Sequence, residues 1–471
     1  MDFGFWSIVP PLVTIILALV FKNVFVALLV GIFLAAVTLN GWNLFVGTNE
    51  AFYSIVRTFE SNGNTIVLLS MLLIGALIYL IERTGGIEGF VDIMVKKKAI
   101  IKSRRASEFF TWLLGIVIFT SGSLSCMVTG SVARPLNDSM KVSHEKASFL
   151  VHTTSTPWCV LFPLSGWLAA MTGYLTAGGV PEADAIGLLI RSIPLNFYCI
   201  FAVVFALLTS LYNLDFGPMK KAVLRAEQTG ELDDPKSTPS ALAEPQSPLK
   251  GVKPRAMNML VPMITMIVII LLVLIISGGG NPTKGSGMQA LLWGCIISVL
   301  VLSVMCMVQK LFNLEQLVNE IMKGMGSMLP IFWVLLLGLT MGTLVGKLGT
   351  GNYLSSIFMQ FLTPALLPLL TFIIAMLLSF STGTSMGTMA IMSVIAIPMA
   401  LNMGVNVPLV AGAMFGGSIF GDHSSPISDT TIMSCATTGC NIIDHVKTQM
   451  PYVLSFAAVS MVLYVFLGFV M

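Results

Sequence analysis

Charge is scarce in this chain. Of its 471 residues, 10% are charged and 56% are hydrophobic. That balance excludes a soluble globular domain of this size and marks a polytopic membrane protein. Histidine is scarcer still, with four copies. The seven cysteines fall mostly in apolar runs and show no CxxC or Cys/His zinc spacing. Neither a disulfide framework nor a zinc-type metal site is therefore expected. No phosphate loop, nucleotide motif or nucleophile–base arrangement is present. An enzyme, an organic cofactor and a nucleic-acid partner are not expected. Residues 1–6 lack the basic stretch of a cleavable signal, and no small-residue cleavage site follows the first apolar run; no signal peptide is expected. What is abundant is Gly, with 42 copies, and Met, with 30. Both suit closely packed membrane helices.

Apolar runs of membrane length mark the spans. The first lie at residues 8–21, 24–39 and 65–81. Lys96, Lys97, Lys98, Lys102, Arg104 and Arg105 follow, and such a basic cluster beside a span marks a cytoplasmic loop. Counting back puts the N-terminus outside. Residues 109–119 are too short to cross and run into a Ser/Gly stretch, so a re-entrant hairpin is expected at about 107–135. A span at about 147–174 is interrupted at Pro157, and a span at 193–211 returns inside. Residues 214–256 are hydrophilic and Pro-rich, and read as a partly disordered cytoplasmic linker. The second half, 257–471, has spans at 259–276 and 290–308, an interfacial helix at 312–325 and a span at 327–345. A second hairpin at about 363–400, a broken span at about 407–440 and a last span at 453–469 complete it, with the C-terminus outside.

The halves 1–213 and 257–471 thus share one order and, by the charge rule, start on opposite sides. The expected fold class is an all-α polytopic membrane protein of two inverted-topology repeats. Each repeat has about five transmembrane helices, a re-entrant hairpin and one broken helix. Paired breaks of this kind point to a transporter's midplane site. The hairpin tips offer Ser121, Gly122 and Ser123 in one half, and Thr382, Gly383 and Thr384 in the other. The breaks offer His152, Thr154, Ser155 and Thr156 before Pro157, and Ser424 and Ser425 before Pro426.

The second break is the more loaded. Between Gly421 and Thr431 lie Asp422, His423, Ser424, Ser425, Ser428, Asp429 and Thr430. Carboxylates at membrane depth are expensive unless functional. Unwound carbonyls, hydroxyls and one carboxylate make a hard-oxygen site suited to Na⁺, the only metal ion expected. Free half-helix N-termini suit an anionic substrate. A carboxylate that holds either a proton or Na⁺ provides antiport. Asp422 and Asp429 are both candidates, with Ser424, Ser425, Ser428 and Thr430 as ligands, and the spacing leaves the choice between the two acids open. His152 is a candidate for proton or substrate contact, and His423 for a proton or a structural hydrogen bond. Glu82, Arg83, Asn137, Asp138, Asp444 and His445 read as interfacial.

The stretch Gly421–Thr431 resembles the signature of NhaC-type Na⁺/H⁺ antiporters, within the ion-transporter superfamily. The wider stretch 415–451 and the run from Ser155 to Leu161 are similar to that family's motifs. The resemblance implies Na⁺/H⁺ antiport by alternating access in the cytoplasmic membrane, with Na⁺ as coupling ion and no other cofactor. It also implies a homodimer and an elevator-like movement of the hairpin and broken-helix region. Members often carry an acidic residue where this chain has His152, so that Na⁺ ligand is lost here. The family name also covers exchangers and symporters of small organic acids and amino acids. Coupled transport of a small carboxylate or amino acid is the alternative expectation.

Overall fold

A bilayer offers no partner to a free backbone amide, so apolar runs of this length fold as helices. The computed structural model describes residues 3–21, 23–95, 103–119, 122–162, 165, 167–237, 252–280, 286–361 and 363–471. Among the described residues the chain is helical, with no β-strand. Seven of these helices are long and apolar enough to cross a membrane: Asn62–Arg83, Phe197–Thr229, Met257–Ser277, Gln289–Val308, Pro364–Thr382, Ser385–Met403 and Ile442–Val470. A bent pair, Leu314–Ser327 with Phe332–Leu348, adds an eighth candidate. The chain is a multi-pass membrane protein.

Four helices fall where the sequence suggested only loops: Leu44–Thr58, Gly86–Val95, Glu182–Ser192 and Thr350–Phe361. They are too short to cross, so a search for spans passes over them. The interfacial helix expected at 312–325 is Leu314–Ser327, and its Arg83–Glu320 ion pair of 2.9 Å joins it to the helix Asn62–Arg83.

The two hairpins are unequal. The first has arms Arg104–Val117 and Gly122–Ser139, of 14 and 18 residues. In the second, Leu367–Thr382 turns at Gly383, with φ of 68°, into Ser385–Met403. That left-handed turn favours glycine, and the Thr384 side chain caps the outgoing helix at Gly387 N. Both arms of the second hairpin, counted from Pro364 and Ser385, are 19 residues and long enough to span, so the re-entrant reading of 363–400 does not follow from arm length.

The span expected at 147–174 is in three pieces, His144–Thr153, Thr156–Leu161 and Trp167–Ala177. Pro157 seats the second piece, since proline suits the first turn of a helix and not its interior. The stretch 407–440 holds two helices, Val407–Ser424 and Asp429–Thr438. The small face of Val407–Ser424 lies on the first arm of the second hairpin. A Cβ on Gly417 would meet Phe372 O at 2.5 Å, and one on Gly421 would meet Phe380 N at 2.1 Å.

The segment read as a disordered linker is ordered where it begins. Gly217–Thr229 is a helix closed by Gly230 at φ 79°. Charge complementarity holds it down. Arg225 meets Glu145 at 2.8 Å, Arg104 pairs with Glu227, and His144 contacts Asp233 at 2.9 Å. Residues 238–251 lie outside the described residues. Beneath this layer Lys146 is fully buried, with Asp215 at 2.6 Å and the Thr209 hydroxyl beside it. The Tyr452 hydroxyl donates to Asp215 at 2.8 Å.

A buried pair is fragile to loss of one member, because the other is left as an uncompensated charge. Lys146→Met is expected to destabilise the chain by about 3–5 kcal/mol. Lys146→Met with Asp215→Leu should recover most of that loss in thermal unfolding of detergent-purified protein. A Lys146→Met variant as stable as the parent would contradict this.

Candidate ion-binding site

Each break leaves helix-end groups without helical partners. At the second break, Ser425 N donates to Gly421 O at 2.8 Å, and the Thr431 hydroxyl donates to Ser425 O at 2.8 Å. The Gln449 amide donates to His423 O at 2.6 Å. Ser424 and Ser425 are buried, and the Ser424 hydroxyl closes on Phe420 O at 2.6 Å. Ser425 Oγ accepts from Ile427 N at 3.5 Å. These two serines complete the backbone of the break and leave Asp422 to other hydroxyls.

The two acids have separate settings. Asp422 is 2% exposed and accepts from the Ser428 hydroxyl at 2.7 Å. Ser428 meets Thr430 Oγ1 at 3.0 Å, and the Thr430 and Thr156 hydroxyls also face Asp422. Asp429 is exposed in the first turn of Asp429–Thr438. There its charge complements the partial positive charge of the helix end. The Ser123 hydroxyl of the first hairpin tip donates to it at 3.1 Å. Ser121 lies outside the described residues.

The first break approaches from the other side. Thr156 Oγ1 is buried without a hydrogen-bond partner among the described residues. Gly122 comes so close that a Cβ there would meet Thr156 Oγ1 at 2.5 Å. Thr154 and Ser155 are turned to backbone, donating to Leu150 O at 2.8 Å and to His152 O at 2.6 Å. His152 is fully buried and contacts Thr430 Oγ1 at 3.0 Å with Nε2. At the second hairpin tip Thr382 donates to Leu378 O at 2.9 Å, and Gly383 packs on Ile427 of the break, where a Cβ would meet Ile427 Cγ1 at 2.8 Å. The tip thus touches the loop, and its hydroxyls stay on their own arms.

Three residues pack beside this site, outside its donor set, that the sequence reading placed elsewhere or did not name. His445, read as interfacial, is fully buried, and its Nε2 lies 3.0 Å from His152 Nδ1. Tyr198 meets His423 Nδ1 at 2.9 Å, while Thr153 holds His423 Nε2 at 3.0 Å. Gln449 closes the helix end. The signal available was the spacing of His445 and Gln449, four residues apart on one helix face. Asn137, also read as interfacial, is buried between the Ser107 and Thr111 hydroxyls.

The gathered donors are one carboxylate and three hydroxyls, from Ser428, Thr430 and Thr156. Among the described residues no Lys, Arg or His forms an ion pair with Asp422. Nor do three or more His, Cys, Asp or Glu gather as a transition-metal site. The set suits a hard monovalent cation or a proton.

The sequence model of the Na⁺/H⁺ antiporter family matches residues 158–469. The chain belongs to that family. Its members are transporters, so this member is a secondary transporter and not an enzyme, and the family supports Na⁺ and H⁺ as transported ions. An uncharacterized protein of Haemophilus influenzae is 29% identical over 98% of this chain and 91% of its own length. The malate-2H⁺/Na⁺-lactate antiporter of Bacillus subtilis is 28% identical over 34% of each chain. In fold, this family member is similar to the YdaH transporter of Alcanivorax borkumensis, with a TM-score of 0.57 at 15% identity, covering 90% of this chain and 89% of that one.

The Gly122–Thr156 contact makes a steric prediction. Gly122→Val is expected to cost about 1–3 kcal/mol through overpacking. Gly187→Ala, on an exposed helix with open space around it, should stabilise by roughly 0.5–1 kcal/mol. Thermal unfolding of the two variants checks both signs.

Proposed function

We propose that this chain exchanges Na⁺ for H⁺ across the cell membrane by alternating access, with Asp422 as the group that holds either ion. The observation that carries this reading is a buried carboxylate faced by hydroxyls and, among the described residues, paired with no basic side chain. An isolated charge in that position is prohibitively unfavourable. Asp422 is therefore stable only with a cation, and the candidates are a proton and a small metal ion. Because one carboxylate serves both, the site is emptied of one when it takes the other. That competition is the coupling.

Ser428, Thr430 and Thr156 supply the neutral oxygens that Na⁺ needs once its water is shed. Asp429 stands at the exposed rim, where it attracts cations toward the break. Its charge also occupies the helix N-terminus, which makes that end a poor seat for an anion. We further propose that residues 1–213 and 257–471 are inverted repeats joined by an inner segment 214–256, with both termini outside. The hairpins and broken helices would then move as one unit against the remaining helices, in a homodimer. Support for this comes from the paired breaks and the basic clusters.

The second reading is coupled exchange of a small organic acid, favoured by the name of the Bacillus subtilis relative. Proteoliposomes with a trapped pH dye and an imposed pH gradient separate the two. Na⁺ alone should collapse the gradient. Asp422→Asn should weaken apparent Na⁺ affinity by about a hundredfold, as expected for a lost buried charge worth roughly 3 kcal/mol. Asp429→Asn should change it by less than about tenfold, a shift under ~1.4 kcal/mol. A gradient that collapses only when malate or lactate is added with Na⁺ would favour the second reading. An Asp422→Asn protein with full Na⁺-driven exchange would refute the first.

A further inference from the structure

Three of the chain's four histidines meet beside this site. The His152 ring centroid lies 4.7 Å from that of His423 and 5.3 Å from that of His445. All three are fully buried. His423 has both ring nitrogens engaged, by Tyr198 and Thr153. The other two form an unbroken series with the carboxylate. It runs from Asp422 Oδ1 to Ser428 Oγ at 2.7 Å, Thr430 Oγ1 at 3.0 Å and His152 Nε2 at 3.0 Å. It continues from His152 Nδ1 to His445 Nε2 at 3.0 Å. At its far end His445 Nδ1 is buried and has no hydrogen-bond partner among the described residues.

The direction of every hydrogen in this series follows from its first member. An ionised carboxylate only accepts, so Ser428 donates to Asp422. Ser428 has one hydrogen, so Thr430 donates to Ser428. Thr430 is then spent, and His152 Nε2–H donates to Thr430. The same ring must accept at Nδ1, which fixes His445 as the Nε2–H tautomer. A bare lone pair is left at His445 Nδ1, on the side away from the carboxylate. If Thr430 donates directly to Asp422 instead, the series shortens by one step and keeps this direction.

We propose that this series is the proton path of the exchanger, linking Asp422 to water through His445. A proton from a hydronium ion binds His445 Nδ1. His445 Nε2–H passes its proton to His152 Nδ1, and His152 Nε2–H passes its own to Thr430. Thr430 hands a proton to Ser428, and Ser428 hands one to Asp422. One proton enters, one carboxylate becomes a neutral acid, and each intermediate group ends with the number of protons it began with. Both imidazoles end as Nδ1–H tautomers. His445 lies in the first turn of Ile442–Val470, a helix start capped by the Asn441 side chain. The titratable groups around it are His423 and Tyr198 on one side, and Cys126, whose Sγ is 3.8 Å from Thr430 O. Asp429 stands at the rim. This relay rests on the antiport reading. It separates the proton's route from the sodium's, although both ions end at one carboxylate.

The test compares two exchange modes in the same proteoliposomes. ²²Na⁺ uptake against trapped Na⁺ needs no proton, while Na⁺-driven alkalinisation or acidification does. His445→Gln keeps an amide N–H for His152 and cannot take up and pass on a proton. It is expected to hold Na⁺/Na⁺ exchange within about twofold of the parent and to slow proton movement at least tenfold. Unchanged proton movement in His445→Gln would overturn the relay and leave antiport standing. Equal loss of both modes would also overturn it, by making His445 structural. Parent protein that exchanges Na⁺ for Na⁺ and moves no proton would overturn the antiport reading itself, and the relay with it. A second measurement needs no variant. In ¹⁵N-histidine spectra of the parent, His152 and His445 should be Nε2–H in saturating Na⁺ and Nδ1–H in Na⁺-free protein with Asp422 protonated. Tautomers that do not respond to Na⁺ would overturn the proposal even if the variant fails to fold.

Discussion

The rest of the structure depends on one unpaired carboxylate. Asp422 is buried at the end of Val407–Ser424 with hydroxyls around it and, among the described residues, no basic partner. In water such a group needs nothing. Inside a membrane protein it forces a choice among burial with a cation, protonation and exposure. The helix breaks follow from that choice. A continuous helix would carry Ser428 and Thr430 past the carboxylate, whereas the turn through Ser425 and Ser428 folds them back onto it. The freed backbone groups then require partners of their own. Gln449, Thr431 and Ser425 provide them. The polar residues of the break thus divide into those that hold the chain open and those that face Asp422.

The two halves contribute unequally. Both carry a break beside proline and a tip rich in glycine and hydroxyl groups, but the acids stand only in the second. The first half supplies His152, the unpartnered Thr156 hydroxyl and the close approach of Gly122. Neither half holds a complete donor set. The hydroxyls that face Asp422 come from both breaks, Thr156 from the first and Ser428 and Thr430 from the second.

Charges elsewhere are treated in the opposite way. At the end of the molecule where Gly217–Thr229 lies, acids and bases are paired: Arg225 with Glu145, Arg104 with Glu108 and Glu227, and Lys146 with Asp215. Paired charges fix structure, because separating them exposes two desolvated ions at once. An unpaired one is available for exchange. The contrast separates the scaffold from the site without reference to any relative. The malate-2H⁺/Na⁺-lactate relative and the antiporter family model agree on coupled ions.

Much of this was legible before any coordinates. Hydrophobicity fixed the membrane class, since long apolar runs have no alternative fold in lipid. Pro157 and Pro426 marked the breaks because each follows a run of Ser and Thr; proline alone is not enough, since Pro135, Pro262, Pro398 and Pro451 lie inside helices. The family resemblance lay in a contiguous stretch, Gly421–Thr431, and needed no folding to be read. The amphipathic helices Leu44–Thr58 and Glu182–Ser192 were hidden, since they do not span and carry no long apolar run. The helix Gly217–Thr229 was hidden in a Pro-rich, charged segment, because what orders it is ion pairing with distant residues. The choice between Asp422 and Asp429 could not be made from spacing: burial is a property of what packs around a residue. His445 was the largest omission. It sits 293 positions from His152, and only the crossing of Ile442–Val470 over the first break brings their rings to 3.0 Å. The sequence by itself determined the solvent this chain folds in, the places where its helices stop and the kinds of oxygen available there. Tertiary packing decided which carboxylate is buried and which histidines touch, because those depend on contacts between segments that the linear order keeps apart.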